Sequence, residues 1–164
     1  MENNIKEFIR DSRTKTLRLR VMKVVFSREV IREDWPAWSD AKRFSSPKQV
    51  FEMFRDLILE TKEHFLALHL DGKNRIVCLD RIASGSLNQC VVHSREVLKS
   101  ALLSSAAAII LVHNHPTGDP TPSSEDLNIT NRLKEAGVLI GIPVLDHIII
   151  GNGQYVSFSE RGLL

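Results

Sequence analysis

The sequence predicts an α+β domain in which helices flank a mixed β-sheet. Three observations support this prediction. Strand-like and helix-like segments alternate along the chain, a hairpin signal lies at Asp71-Gly72, and an uninterrupted apolar run of strand length covers Ala106 to Val112. Alternation favours helices packed on a sheet, whereas a hairpin requires an antiparallel pair. The sheet is therefore expected to contain parallel and antiparallel strands together.

The composition is that of a soluble globular protein. The chain has 164 residues, of which 43% are hydrophobic and 26% are charged, which suits a single domain with its own core. Its longest apolar run is far shorter than the ~20 residues that cross a bilayer, and its first residues lack the apolar segment of a secretory signal. Cys78 and Cys90 are too few for a disulfide framework. We therefore expect a cytoplasmic protein without membrane contact.

Residues 1–45 are predicted to form a basic strand and a loop, either part of the domain that follows or appended to it. Leu17 to Phe26 alternates in the manner of a strand, and Trp35-Pro36-Ala37-Trp38 then interrupts any periodic pattern. Lys6 to Arg28 contains eight Lys or Arg residues against two acids. Such a stretch suits nucleic acid or another acidic partner. A solvated strand face is the simpler explanation, and we favour it.

The remaining elements are predicted from caps, turns and periodicity. Ser46 is expected to cap a helix that begins at Pro47, has a capping box closed by Gln49, and runs to about Glu60. The other predicted elements are strands at Phe65–Leu70, Arg75–Ala83, Leu87–Val92, Ala106–Val112, Ile142–Ile150 and Tyr155–Phe158, a helix from Arg95 to about Ser105 capped by Ser94, and a helix opened by Ser123 that ends at Gly137.

Two histidines at the exit of the central strand predict a metal site. His113 and His115 are two positions apart, so the period of a strand puts both imidazoles on one side. Pro116 ends the strand, and a Pro-rich turn leads to a helix whose first turn carries Asp126. The positive end of the helix dipole favours the ionised carboxylate there. Two imidazoles and one carboxylate suit zinc and leave a fourth position for water, as in catalytic sites.

Simpler explanations exist for parts of this pattern. Ser123-x-x-Asp126 is also an ordinary capping box that requires no chemistry, and on local grounds Glu125 competes with Asp126 as the ligand. These explanations do not account for a buried strand, paired histidines, a rigid turn and an acid arriving in one register. A zinc deaminase is excluded, because the sequence has neither the His-x-Glu nor the Pro-Cys-x-x-Cys pattern.

This stretch resembles the JAMM motif of JAB/MPN metallopeptidases, and above all their RadC-like branch. The matching order is His113-x-His115-Pro116, a turn ending at Pro122, and then Ser123-x-x-Asp126. The resemblance covers about Ser46 to Leu164. Other segments that agree with that branch in order are Glu63-His64-Phe65, Asn74-Arg75, Gly85-Ser86-Leu87, Arg95-Glu96-Val97, Thr130, Leu133 and Asp146-His147-Ile148-Ile149. It implies an MPN domain over residues 46–164 with a cytidine-deaminase-like architecture.

The resemblance also implies an activity. One Zn²⁺ ion per chain would be held by His113, His115 and Asp126, and the protein would be a zinc metallopeptidase that cleaves a peptide or isopeptide bond in a peptide or protein substrate. Ser123 would donate a hydrogen bond to the developing oxyanion.

Glu63 would activate the attacking water and pass its proton to the leaving amine. This assignment comes from the resemblance alone. A surface acid at a strand edge is the simpler explanation of Glu63, and Glu60 is a nearby alternative.

Two other functions follow from the family. RadC proteins carry a historical DNA-repair label, which suggests a nucleic-acid-binding repair or mobile-element accessory protein. Longer RadC proteins have a helix-hairpin-helix domain upstream for which residues 1–45 are too few, and this disfavours the suggestion. A non-catalytic MPN scaffold is disfavoured because all five motif residues are present. His147 is expected either to support a metal ligand or to pair with Asp146 and brace the strand, and His64, His69 and His93 to be structural or exposed.

Overall fold

The computed structural model describes residues 19–35, 43–85 and 92–164. Its elements are α1 (Pro47–Phe54), a 3-10 helix (Arg55–Leu59), β1 (His64–Leu70), β2 (Ile76–Ser84), α2 (Ser94–Leu103), β3 (Ala108–Asn114), α3 (Ser124–Ile140), β4 (Val144–Ile150) and β5 (Tyr155–Ser157). The strands form one sheet in the order β2-β1-β3-β4-β5. Only the β3–β4 pair is parallel in this sheet, and the other three pairs are antiparallel. The predicted α+β class with a mixed sheet is confirmed.

The central strand β3 is buried along its whole length. Side chains such as Ile110 pack with α1 on one face of the sheet, and side chains such as Leu111 pack with α2 and α3 on the other. The strand begins two residues later than predicted and extends through Asn114. His113 therefore lies inside the sheet, opposite Phe65 on β1 and Ile149 on β4, rather than beyond the end of the strand.

The helix predicted at Pro47 is shorter than expected and changes type. The Ser46 hydroxyl accepts the Gln49 N–H at 3.3 Å, as a cap should. The Gln49 side chain accepts from the N–H of Ser45 at 2.9 Å, which lies one residue before the N-cap. The α-helix ends at Phe54, and a 3-10 turn continues to Leu59. This tighter turn places the Leu57 carbonyl beside the end of β3.

The two later helices have different ends from those predicted. The N-cap of α2 is His93, one residue before the expected Ser94, and it makes no side-chain capping bond. Helix α3 does not end at Gly137 but continues to Ile140, where Gly141 ends it with φ 76°. Gly137 is needed for packing, since a Cβ there would lie 2.5 Å from the Ile142 carbonyl oxygen.

The strand predicted at Leu17–Phe26 is wrong over the residues that the structure describes. Residues 19–26 are exposed and belong to no strand or helix, and Leu17 and Arg18 lie outside the described ranges. An alternating sequence becomes a strand only when a neighbouring backbone completes its hydrogen bonds. Most of the short strand predicted at Leu87–Val92 also lies outside the described residues, as do residues 36–42 of the loop predicted around Trp35 and Trp38. Across the described ranges, no helix is long and apolar enough to span a bilayer.

Candidate metal centre

The three predicted ligands meet between the end of β3 and the start of α3. His113 Nε2 lies 3.0 Å from His115 Nε2 and 3.1 Å from Asp126 Oδ1. The second carboxylate oxygen of Asp126 lies 3.3 Å from His115 Nε2. Within the part of the chain that the structure describes, this is the group of side chains whose ligand atoms could hold a metal ion. Glu125, the local competitor of Asp126, is exposed and bonds to Ser124.

A chain of hydrogen bonds behind His113 fixes its tautomer. Thr130 Oγ1 lies 2.6 Å from the Asp126 carbonyl, which can only accept, so the hydroxyl donates to it. The same oxygen lies 2.6 Å from His147 Nδ1 and must accept from that nitrogen. Burial holds the pKa of His147 well below its ordinary value, so this ring is neutral and its Nε2 is an acceptor. His113 Nδ1, at 2.8 Å, therefore donates to it, and His113 Nε2 keeps a lone pair facing the site.

A different partner fixes the tautomer of His115, again with Nδ1 as the donor. Its Nδ1 donates to the Asp119 carbonyl at 2.7 Å, so its Nε2 also faces the site without a hydrogen. In their neutral forms the two imidazoles place two lone pairs 3.0 Å apart, and a cation between them, whether a metal ion or a proton, removes their repulsion. The pKa of His115 shows that the site favours a positive charge on or beside this ring. Burial alone would lower it, but the Asp126 carboxylate and the Asp119 carbonyl raise it above its ordinary value.

The capping box of α3 holds the carboxylate of Asp126. Its Oδ2 accepts from the N–H of Ser123 at 2.8 Å and from the Ser123 hydroxyl at 2.7 Å, and the Asp126 N–H donates back at 3.1 Å. Burial alone would raise the pKa of Asp126. The two imidazoles in their protonated forms, together with the hydrogen bond from Ser123, outweigh burial and hold this pKa well below its ordinary range, so the carboxylate is ionised. The helix cap and the metal site are therefore one arrangement, because the cap orients the oxygens that face the imidazoles.

The spacing of these atoms fits a tetrahedral zinc ion. Bonds of about 2.0–2.1 Å at tetrahedral angles put neighbouring ligand atoms ~3.3 Å apart, and the three observed separations are 3.0, 3.1 and 3.3 Å. Two imidazole nitrogens and a carboxylate oxygen are donors that zinc accepts. His113 is fully buried, whereas His115 keeps 17% of its side chain exposed, so the group opens to solvent on the side of His115.

Glu63 lies immediately before β1 and is half-buried. Burial is the main cause that raises the pKa of its carboxyl group, and the charges of His113, Asp126 and His115 also act on it. Glu63 is two residues before Phe65, which faces His113 in the sheet, so it lies at the same end of the sheet as the metal-binding group. Glu60, the alternative, is more than half exposed and lies 3.6 Å from His64 Nε2 instead.

The loop between His115 and α3 is packed against the end of β4. The Gly118 N–H donates to the His115 carbonyl at 2.9 Å, and the Asn152 N–H donates to the Gly118 carbonyl at 2.8 Å. A Cβ on Gly151 would lie 2.4 Å from the Gly118 carbonyl oxygen and 2.6 Å from Pro120. Gly151 therefore lets the strand end approach the loop closely enough to hold it.

Sequence reasoning missed the hydrogen bonds that support the ligands. Both explanations for His147 have contacts in the structure: its ring bonds to His113 and Thr130, and its backbone N–H donates to Asp146 at 2.8 Å. Thr130 follows Asp126 by four residues and so lies on the same face of α3, which is the signal that could have indicated it. Of the other histidines, His69 is buried against Ser104 and His93 is exposed, as expected.

Comparisons with known proteins identify the family of the chain. The sequence model of the RadC-like JAB domain family matches residues 44–163. The chain is 62% identical over 123 residues to a UPF0758 protein of Pelobacter propionicus, covering 74% of this chain and 54% of that protein. It is 59% identical over 128 residues to one of Geobacter sulfurreducens (76% and 55%), and 50% identical over 124 residues to one of Methanosarcina mazei (75% and 54%). The chain thus spans about half the length of these relatives.

A mixed sheet with a His-His-Asp group between its central strand and the following helix is the architecture of a JAB-type domain. The family match then places the chain within that class. The chain belongs to the RadC-like JAB domain family.

Proposed function

We propose that this protein is a zinc-dependent hydrolase that cleaves a peptide or isopeptide bond. One observation carries the proposal. The tautomers of His113 and His115 leave two nitrogen lone pairs and the Asp126 carboxylate turned toward one point, with the half-buried Glu63 at the same end of the sheet. A Zn²⁺ ion held there would supply Lewis-acid chemistry, polarising a carbonyl oxygen and making water acidic enough to ionise near neutral pH.

Glu63 is the proposed general base. A base whose pKa is raised toward the working pH transfers protons more efficiently than an ordinary surface carboxylate, and burial raises the pKa of Glu63. In this proposal its carboxylate accepts a proton from the attacking water and delivers it to the nitrogen of the leaving amine. An amide bond, whether in a peptide or an isopeptide, needs that second transfer because an unprotonated amine is a poor leaving group.

Ser123 is proposed to stabilise the developing oxyanion, and its present bonds set a condition on that role. Its hydroxyl hydrogen is directed to Asp126 Oδ2, so it must turn away before it can donate elsewhere. Two contacts of the cap survive this turn, because the Ser123 N–H still donates to Asp126 and the Ser123 oxygen can still accept from the Asp126 N–H. The cap can therefore release the hydroxyl without losing the orientation of the carboxylate.

Metal analysis together with a hydrolysis screen tests the proposal. Protein purified without chelators should contain about one zinc per chain, and Asp126→Ala should contain almost none. Glu63→Gln should keep the metal but lose about 10²- to 10⁴-fold in turnover, the usual contribution of a general acid–base group. The screen uses a fluorogenic peptide library and dipeptides joined through a lysine ε-amino group.

Glu60→Gln is the matched control, since it makes the same change three residues away on an exposed side chain, and it should keep both metal and turnover. A metal-free wild type would overturn the whole proposal. Zinc at full occupancy without any hydrolysis would instead favour the non-catalytic scaffold.

Nucleic-acid binding is the weaker alternative. Arg20, Lys23 and Arg28 are exposed in the described part of the basic stretch, and its earlier residues lie outside the described ranges. Exposed basic side chains on a segment outside the sheet are equally expected of a solvated surface. The hydrolase is favoured because it accounts for a buried and fully oriented group of ligands, which nucleic-acid binding leaves unexplained.

A further inference from the structure

Asn114 stands between the two histidine ligands, but its side chain serves a different segment. It is the last residue of β3 and is fully buried. Because side chains alternate along a strand, Asn114 points to the face of the sheet opposite that of His113 and His115. Its hydrogen-bond partners are all backbone groups of the segment from the 3-10 helix to the start of β1.

The amide of Asn114 makes three hydrogen bonds. Its Oδ1 accepts from the N–H of His64 at 2.8 Å. Its Nδ2 donates to the Leu57 carbonyl at 3.1 Å and to the Lys62 carbonyl at 3.0 Å. Two of these partners, Lys62 and His64, are the residues on either side of Glu63.

The position of these bonds in the sheet explains why a side chain makes them. The antiparallel ladder between β1 and β3 ends at the pair Phe65–His113. One step further, His64 would face Asn114, and there the Asn114 side chain accepts the His64 N–H. The ladder is thus prolonged by one residue on the side of β1, up to the peptide that joins Glu63 to His64.

We propose that Asn114 is a positioning residue that fixes Glu63 relative to the metal ligands. This inference rests on the proposed function, in which Glu63 is the base. One strand supplies His113 to the metal site, and its next residue clamps the backbone on both sides of Glu63. Any shift of the metal-binding end of β3 is therefore transmitted to the Glu63 backbone, and the distance between base and ligands stays constant.

The chemistry of the clamp calls for an amide. Two carbonyls and one N–H must be satisfied from one buried side chain, which requires two donors and one acceptor on a short, planar group. Aspartate offers no donor to the two carbonyls, serine has a single hydroxyl hydrogen, and alanine offers nothing.

The structural part of the proposal is tested by hydrogen exchange on zinc-loaded protein. In Asn114→Ala, the His64 amide should lose at least about tenfold in protection, since it loses its acceptor and its neighbours lose their tether. The zinc content should stay at that of the wild type, because none of the three ligands bonds to the Asn114 side chain. Asn114→Ser is a smaller disturbance that can keep one hydrogen bond. The protection of its His64 amide is expected to lie between that of the wild type and that of Asn114→Ala.

The positioning part is tested by a double-mutant cycle. With the substrate found in the screen, Asn114→Ala should lower kcat by about 10- to 100-fold, as a displaced catalytic group does, and change KM less than about twofold. In a Glu63→Gln background the same change should have almost no further effect. A general loss of stability would instead lower the residual rate in both backgrounds.

Ser157→Ala is the matched control. Ser157 is also a buried polar residue in a strand, with a hydroxyl that donates to Asp146 at 2.7 Å and accepts from the Glu160 N–H at 3.1 Å. Its loss should lower stability without changing kcat or the exchange of His64.

Three results would overturn the proposal: unchanged protection of His64, unchanged kcat despite lost protection, or equal losses with and without Glu63. Failure of the proposed function has a different signature. A wild type without hydrolytic activity would show that Glu63 is not a catalytic base. The exchange measurement would still decide whether Asn114 holds the backbone on either side of Glu63.

Discussion

Some single side chains in this domain support two parts of the site at once, and Thr130 is the clearest example. Its one hydroxyl donates to the Asp126 carbonyl and accepts from His147. It therefore tethers the helix that carries one ligand and orients the ring that supports another. A buried polar group used in this way is costly to disturb, because each partner left without a hydrogen bond destabilises the fold by about 1–3 kcal/mol.

Thr130→Val should therefore weaken metal binding without removing a ligand. The valine methyl fills the place of the hydroxyl but leaves His147 Nδ1 without its acceptor, so His113 loses the support that fixes its tautomer. Zinc affinity is expected to fall about 10- to 100-fold, measured by competition with a chromophoric chelator. Thr117→Val makes the same change on an exposed residue of the metal loop and should keep full affinity. Equal affinities for both variants would show that the hydrogen bonds behind His113 contribute nothing.

At the same scale, the sequence predicted some site residues better than others. His113, His115 and Asp126 lie within fourteen positions of one another, so local periodicity and a helix start bring them together. Glu63 is far away in the chain and was inferred only from the resemblance. Asn114 could not be assigned at all, since its partners at Leu57, Lys62 and His64 are set by the packing of the sheet.

Among the elements, the β1–β2 hairpin has the most self-contained support. Asp71 Oδ1 accepts from the N–H groups of Lys73 and Arg75 at 2.8 and 2.9 Å, and its Oδ2 pairs with the Arg75 side chain at 2.6 Å. The backbone N–H bonds are the main cause that lowers the pKa of Asp71 to about 2. The turn is thus built around a carboxylate that must be ionised.

This gives the hairpin a pH dependence whose sign is fixed. A carboxyl group with a depressed pKa in the folded state stabilises the fold above its ordinary value of 3.8, and this contribution disappears as the pH falls toward about 2. Asp71→Asn should therefore have a lower urea midpoint than the wild type at pH 6, with a gap that narrows between pH 4 and pH 2. High salt should leave most of the difference in urea midpoint, because the backbone hydrogen bonds lower the pKa of Asp71 more than the charge of Arg75 does. A gap independent of pH would contradict the assignment.

Helices and strands were predicted well where the signal lies within a short segment of sequence. They were predicted poorly where packing against neighbouring elements determines the structure. The buried run of β3 and the Asp71-Gly72 turn are properties of short segments, and both were found. Gly137 has the usual signature of a helix end, yet the approach of Ile142 accounts for it. The alternation in Leu19–Phe26 is that of a strand, but no described residue gives its backbone a hydrogen-bond partner.

For the whole molecule, the candidate metal ligands come from three different parts of the fold. His113 belongs to the sheet, His115 to the loop after it and Asp126 to α3. One ion bound to all three would link the folded layers, and since the unfolded chain does not hold these ligands together, binding energy becomes folding energy. In the metal-free protein with neutral rings, the lone pairs of His113 and His115 at 3.0 Å would repel each other. This repulsion adds to the difference in stability between the metal-bound and the metal-free protein.

Removing zinc should accordingly destabilise the whole domain. At a free zinc concentration about 100 times the dissociation constant, binding contributes about 2.7 kcal/mol, which corresponds to a rise in Tm of ~5–10 °C for a domain of this size. Differential scanning calorimetry of protein treated with EDTA, with and without added ZnCl₂, measures the shift, and MgCl₂ at the same concentration should leave Tm unchanged. Asp126→Ala should melt at one temperature whether or not zinc is present. Zinc would be shown to bind elsewhere if that variant were stabilised as much as the wild type, and the three-ligand site would then be wrong.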